Sequence, residues 1–407
     1  MIEKLKCRHC QTVLVHTFVD LGLSPLSNAY VPIGAGVEKF FPLHAYVCHA
    51  CFLVQLPVHE TPEGIFEEYT YFSSYSSSWL NHAKQYATMI AGKRGLSGES
   101  LVVEIACNDG YLLQYFAEMG INVLGIEPAK NVAKAAKSKG IPTISEFFGT
   151  ELAESLREQG TKADLVVANN VLAHVPDING FVRGIAMLLK DNGIATLEFP
   201  SLLNLIRFNQ FDTIYHEHFS YLSLCTVKRI FDYCGLGIFD VEELPTHGGS
   251  LRVYACAADV DVSPNVGYLL ADEEKFGLCD LAVYSKFAGN VKSLKREILR
   301  TLIALKDGGK TMIGYGAAAK GNTLLNYCGI RDDFLDYVAD ISPYKQGKCL
   351  PGTRIRIEST DAIRNSKPDY IFILPWNIKD EIMNQLDYAR EWGCKFIVPI
   401  PKLEVIT

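Results

Sequence analysis

From residue 101 onwards, apolar runs of strand length alternate with longer stretches in which apolar residues recur every three or four positions. Leu101-Val102-Val103-Glu104-Ile105 is a buried-strand run. Asn122 to Glu127, Asp164 to Asn169 and Ile194 to Phe199 repeat the pattern, with helical segments between them. This alternation predicts an α/β fold with a parallel, doubly wound sheet that takes its ligands at the carboxyl ends of the strands. Leu278 to Lys306 has helical periodicity and is expected to lead into a second, smaller Rossmann-like unit beginning near residue 308. Its strands are expected at Thr311 to Gly316 (strand and turn), Phe334 to Asp340, Tyr370 to Leu374 and Phe396 to Pro399. Ahead of the first sheet, a loop rich in aromatic and hydroxyl residues, Glu67 to Trp79, precedes a helix expected from about Leu80 to Lys93. The chain contains no internal repeat and no low-complexity tract.

The N-terminal residues carry a different signal. Four cysteines fall as Cys7-x2-Cys10 and Cys48-x2-Cys51, whereas those at 107, 225, 234, 256, 279, 328, 349 and 394 are scattered singly. Two such knuckles let four thiolates converge tetrahedrally on Zn²⁺, and the ion supplies folding energy that a module of about 60 residues lacks in its own core. A closed four-cysteine shell leaves no open position for substrate or water, so this zinc is expected to be structural. His9 and His49 lie inside the knuckles, but the four thiols complete the site without them. The chain thus divides into residues 1–66 (zinc module), 67–277 (central domain) and 278–407 (C-terminal domain).

Composition narrows the function classes. Hydrophobic residues make up 48% and charged residues 21% of the 407, a balance that folds. A net charge of −7 argues against a nucleic-acid reader, which needs a basic footprint. The N-terminus has no apolar signal region, and no stretch approaches the ~20 apolar residues of a membrane span. A cytoplasmic protein without membrane partners is expected, with its cysteines reduced.

The chemistry concentrates in three places. The first is the turn Glu104-Ile105-Ala106-Cys107-Asn108-Asp109-Gly110 together with Gly125-Ile126-Glu127-Pro128. Small residues let a ligand approach the backbone, and an acidic residue closing the second strand is placed to bind ribose hydroxyls. The loop lacks GxGxxG, which disfavours a pyrophosphate at this helix, and with Asn169 to His174 it favours a nucleoside-type ligand. The second is Tyr215-His216-Glu217-His218. Histidine titrates near neutrality, which suits proton removal beside a ketone, with tyrosine or a second histidine donating to the developing enolate. His216 and His218 are not spaced as in HExxH, and a metal pair there stays open. The third is Gly314-Tyr315-Gly316-Ala317-Ala318-Ala319-Lys320-Gly321, a strand-to-helix turn that offers N–H groups and a lysine to phosphate oxygens, or simply packs tightly.

In this order the paired CxxC module, the E-I-x-C-N-D-G loop, the Y-H-E-H segment, His247-Gly248-Gly249-Ser250-Leu251-Arg252 and the G-Y-G-A-x-A-K-G loop resemble the sugar C-methyltransferase family of deoxysugar biosynthesis, over nearly the whole chain. The family loop commonly has glycine where this chain has Ala106. The resemblance implies a zinc module, a Rossmann-like S-adenosylmethionine (SAM) methyltransferase domain and a C-terminal Rossmann-like domain that helps to hold a sugar nucleotide. It also implies SAM-dependent methylation of carbon, commonly C3, beside the keto group of a 4-keto-6-deoxyhexose linked to dTDP or, as another nucleotide, GDP.

Carried onto this chain, the resemblance makes His218 the base, with Tyr215 its rival and enolate partner, and Glu217 a residue that orients or tunes them. His174 and Tyr71 complete the catalytic pocket. Glu104, Ala106, Asn108, Asp109, Gly110, Glu127, Pro128 and Asn169 are expected at the cofactor, and Tyr69, His247, Arg252 and Lys320 at the sugar nucleotide. A surface ion pair is the other reading of Arg252. A monomer is expected. Two competing functions use parts of the same pattern: an O- or N-methyltransferase on another small metabolite, and a zinc-ribbon adaptor for RNA or protein without catalysis.

Overall fold

The computed structural model describes residues 5–34, 36–66 and 72–407. Among these, β1 (His16–Ser24), β2 (Val31–Pro32), β3 (Phe41–Val47) and β4 (Val54–Gln55) come first, and β1, β3 and β4 pair antiparallel in one sheet. Leu43, Ala45 and Val47 alternate along β3 as its buried face. That sheet packs on the long helix Leu281–Asp307, where Phe18 of β1 stacks on Phe287 with ring centroids 4.5 Å apart. The helix buries Tyr284, Phe287, Val291, Leu294, Ile298 and Leu302, one face at a spacing of three and four. Its core is continuous with that of the C-terminal sheet, so one hydrophobic cluster spans both ends of the chain.

The central sheet contains β5 (Leu101–Ile105), β6 (Asn122–Ile126), β7 (Thr143–Ile144), β8 (Ala163–Asn169) and β9 (Leu189–Pro200), all parallel. The next strand, β10 (Ser220–Tyr221), leaves this sheet and pairs with β4 of the N-terminal one. The chain then returns as β11 (Gly237–Leu244) and β12 (Ser250–Cys256), giving the order β11-β12-β9-β8-β5-β6-β7. Because β6 and β8 flank β5 on opposite sides, the connections diverge at the carboxyl end of β5, where an open α/β sheet forms its ligand crevice.

The third sheet holds β13 (Met312–Tyr315) and β14 (Val338–Ala339). β15 (Lys348–Cys349) lies outside it and pairs with β2, tying the N-terminal segment to the C-terminal domain. β16 (Ile357–Glu358), β17 (Tyr370–Ile373), β18 (Lys395–Val398) and the antiparallel β19 (Glu404–Ile406) complete the order β16-β14-β13-β17-β18-β19. The strand expected from Phe334 is shortened to β14, because Phe334 and Leu335 both donate to the Arg331 carbonyl in a turn. A second switch point lies between β13 and β17. Gly316 closes β13 at φ +85°, and a Cβ there would strike the Pro375 ring after β17.

Candidate functional site

In the N-terminal module the Sγ atoms of Cys7, Cys10, Cys48 and Cys51 all lie within 4.8 Å of one another, with Cys7 to Cys51 and Cys10 to Cys48 each at 3.5 Å. A tetrahedral ion with bonds of about 2.3 Å sets its sulfurs about 3.8 Å apart, so the donor set and its spacing fit zinc. Each knuckle closes by the same turn: Gln11 N–H reaches the Cys7 carbonyl and Phe52 N–H the Cys48 carbonyl, with Gln11 and Phe52 at φ +62° and +61°. Gln55 donates to Cys7 Sγ at 3.2 Å, a second layer of support for the ligand. His9 turns aside to Asn179 and His49 packs edge-on against His16. Among the described residues no other group of three or more His, Cys, Asp or Glu side chains could share a metal.

A cavity of about 870 Å³ opens at the carboxyl ends of β5, β6 and β8 and extends to the loop after β13. On the central-sheet side Ala106, Asn108, Glu127, Pro128 and Asn169 line it. Ala106 and Asn108 adopt φ +56° and +50°, so Ala106 bears a left-handed conformation that glycine takes freely. The Glu127 carboxylate accepts N–H groups from Asn108 (3.0 Å) and Ala129 (2.9 Å), which fixes its orientation and leaves lone pairs for a ligand hydroxyl. Asn169 Oδ1 and Asn170 Oδ1 are buried without a hydrogen-bond partner among the described residues, as acceptors awaiting a donor such as an ammonium group. These features fit an amino-acid nucleoside.

Glu104, Asp109 and Gly110, expected at the cofactor, are not among the residues that line the cavity. Asp109 is held by Lys139 at 3.0 Å. Glu104 is fully buried, and burial pushes its carboxyl well above the usual range, with the Tyr111 hydroxyl pulling the other way.

The titratable cluster forms the middle of the cavity. His218 Nδ1 lies 2.9 Å from the Thr213 carbonyl oxygen, so Nδ1 carries the proton. Nε2 is then the lone-pair nitrogen, and it accepts the Tyr215 hydroxyl at 2.8 Å. His174 is fixed alike, its Nδ1 2.7 Å from the Glu217 carbonyl oxygen. Phe219 N–H donates to the Ala173 carbonyl at 2.7 Å, binding the two histidine segments together. Burial, then the neighbouring His174, holds His218 well below the ordinary histidine value, and burial brings His174 down to about 4. Glu217 acts on His174 through its carbonyl, while its buried carboxylate takes two donors from Asn28, each at 3.3 Å. His216 faces the other way and donates from Nε2 to the Pro42 carbonyl, so it does not pair with His218.

The far wall is built by the C-terminal domain. Lys320 reaches Asn377 at 2.9 Å and lies over the Trp376 ring. Lys345, which lies in no motif, also lines the cavity and donates to the Ala317 carbonyl at 2.9 Å. The helix Ala319–Cys328 starts here with no side-chain cap, leaving its first N–H groups to a ligand. His247 lines the cavity with φ +55° and meets Asn170 at 3.3 Å. Arg252, expected at the sugar nucleotide, lies away from the wall. Its guanidinium is engaged by Glu198 (Nε to Oε1, 2.8 Å) and Glu242 (2.9 Å) and stacks on Tyr86, because β12 pairs beside β9 and β11. Tyr69 and Tyr71 lie outside the described residues.

Three family matches follow the same order along the chain: a zinc binding domain at 7–66, a methyltransferase domain at 83–241 and a C-methyltransferase C-terminal domain at 245–401. C-methyltransferase NovU from Streptomyces niveus is 37% identical over 409 residues, covering 99% of this chain and 97% of that protein. A ubiquinone biosynthesis O-methyltransferase from Bartonella quintana is 32% identical over 104 residues, covering 25% of this chain and 41% of that enzyme. Only NovU of these two spans the zinc module and the C-terminal domain as well as the cofactor loop. With the cavity and the four-cysteine cluster, this full-length match shows that the chain belongs to the C-methyltransferase family and is a SAM-dependent methyltransferase.

Proposed function

We propose that this enzyme methylates C3 of a nucleotide-linked 4-keto-6-deoxyhexose, with His218 as the base that generates the enolate. The observation that carries the reading is the fixed tautomer of His218, which presents a basic Nε2 beside a phenol in the cavity that also contains the cofactor loop and two lysines.

A C–H bond next to a ketone is acidic enough for a positioned base if the enolate oxygen is stabilised as charge develops. The C3 proton passes to His218 Nε2. The Tyr215 hydroxyl, released from that nitrogen, turns to donate to the oxygen at C4. Thr213 keeps the imidazolium in register by holding its Nδ1–H. SAM, which Ala106, Asn108, Glu127 and Pro128 would hold, would supply an electrophilic sulfonium methyl to the enolate carbon in the shared cavity, its sulfur keeping the C–S electron pair as the thioether of S-adenosylhomocysteine. Lys320, Lys345 and the start of the helix Ala319–Cys328 suit the negative diphosphate of the nucleotide. Tyr69 and Tyr71 belong to the same proposal from the sequence pattern.

The test is to incubate the purified protein with SAM and a panel of dTDP-, GDP- and UDP-linked keto-deoxysugars. A product heavier by one CH₂, with the methyl on C3, is expected for at least one keto sugar. No turnover across the panel, or methylation of oxygen, overturns the proposal.

A further inference from the structure

The base is fixed by groups remote from its own loop. His218 keeps its tautomer through the Thr213 carbonyl, and Thr213 ends the short turn Phe211–Thr213. Both neighbours of Thr213 are held from the C-terminal domain. Asp212, fully buried, accepts the indole N–H of Trp376 at 2.7 Å, and the Ile214 carbonyl accepts the Thr323 hydroxyl at 3.0 Å. Trp376 follows β17, and Thr323 lies with Lys320 on the helix Ala319–Cys328. The Trp376 ring also carries the Lys320 ammonium, 4.8 Å from its centroid. Next to Thr323, Asn322 donates to the Ser27 carbonyl at 2.5 Å, and adjoining Asn28 holds Glu217. One C-terminal helix and one C-terminal turn thus hold Ile214 and Asp212, the two neighbours of Thr213.

We propose that Asp212, Trp376 and Thr323 are positioning residues for the proton transfer, holding the Thr213 carbonyl against His218 so that the domain gripping the anionic end of the substrate also sets the base. This rests on the reading of His218 as base. A proton acceptor displaced by about 1 Å can lose about 100-fold in rate.

The test uses full-length Trp376→Phe, Thr323→Val, Asp212→Ala and Asp212→Asn. Trp376→Phe and Asp212→Ala are expected to lower kcat about 10- to 100-fold with the Kd for SAM within about twofold, and Thr323→Val, which removes only the bond to the Ile214 carbonyl, to lower kcat with the KM for sugar nucleotide also within about twofold. The double variant loses no more than either single one, since both remove the same hydrogen bond. Asp212→Asn keeps an oxygen for the indole N–H and recovers most of the rate. Nitrogen-15 spectra of His218 show Nδ1–H in the parent and a mixture of tautomers in Trp376→Phe. If Asp212→Ala does not fold, Trp376→Phe, which keeps the aromatic packing, still decides. Unchanged kcat, a rise in KM alone, or Asp212→Asn as impaired as Asp212→Ala overturns the proposal. An active His218→Ala defeats instead the base assignment beneath it.

Discussion

His174 and His218 stand edge to face with ring centroids 4.7 Å apart, and each turns Nδ1 toward a main-chain carbonyl oxygen. Burial, which depresses both pKa values, keeps the two rings neutral near pH 7, and the carbonyl oxygens then place the proton of each on Nδ1. Two buried imidazoles at that separation resist becoming cations together, which adds to the effect of burial on His218.

The pH dependence follows from this arrangement. As the proposed base, His218 works only when neutral, and burial holds its pKa below the ordinary value, so activity should be lost only as pH falls past that depressed value. We expect kcat/KM, which reports the free enzyme, to stay level through the ordinary histidine value of about 6.5 and to fall only at lower pH. Lys320 contributes to the depression, so an anionic diphosphate beside it raises the pKa of His218 in the complex. The acid limb of kcat should then lie at higher pH than that of kcat/KM. A kcat/KM limb above pH 7 contradicts the assignment.

His218→Ala should abolish most turnover, by about 100- to 10,000-fold, while calorimetry finds SAM affinity within about twofold of the parent, because base and cofactor loop are separate groups. Full activity in this variant moves the role to Tyr215 or His174.

Arg252→Met tests the reassignment of that residue. Removing one partner of a buried ion pair costs about 3–5 kcal/mol, so thermal denaturation should show a lower Tm with the KM for sugar nucleotide unchanged. A raised KM at unchanged Tm returns Arg252 to the substrate.

The difference between Arg252 and the cysteines shows what a sequence can display. Two knuckles advertise a metal because each pair is local, and the strand runs at 101–105 and 164–169 are local too. The partner of Arg252 is not local: Arg252 faces Glu198 only because β12 pairs antiparallel with β9. Likewise Asn28 meets Glu217, Trp376 meets Asp212, and β10 joins β4 across long stretches of chain. The Tyr215-to-His218 segment stood out by composition, but only the Thr213 carbonyl reveals which nitrogen is basic.

Cys48→Ser should release zinc, read by elemental analysis, and lower the Tm of the protein, because metal binding is part of the folding energy of this module. β10 pairs with β4 just after the second knuckle, so the disturbance should reach the Tyr215 loop and reduce kcat as well. A metal-free variant with unchanged Tm and activity contradicts the structural role.

The most direct measurement uses a keto-deoxysugar nucleotide deuterated at the carbon next to its carbonyl, turned over with SAM. The account predicts that the deuteron appears in solvent and that the new methyl sits on that same carbon. Retention of the deuterium, with the methyl found on oxygen, would contradict it.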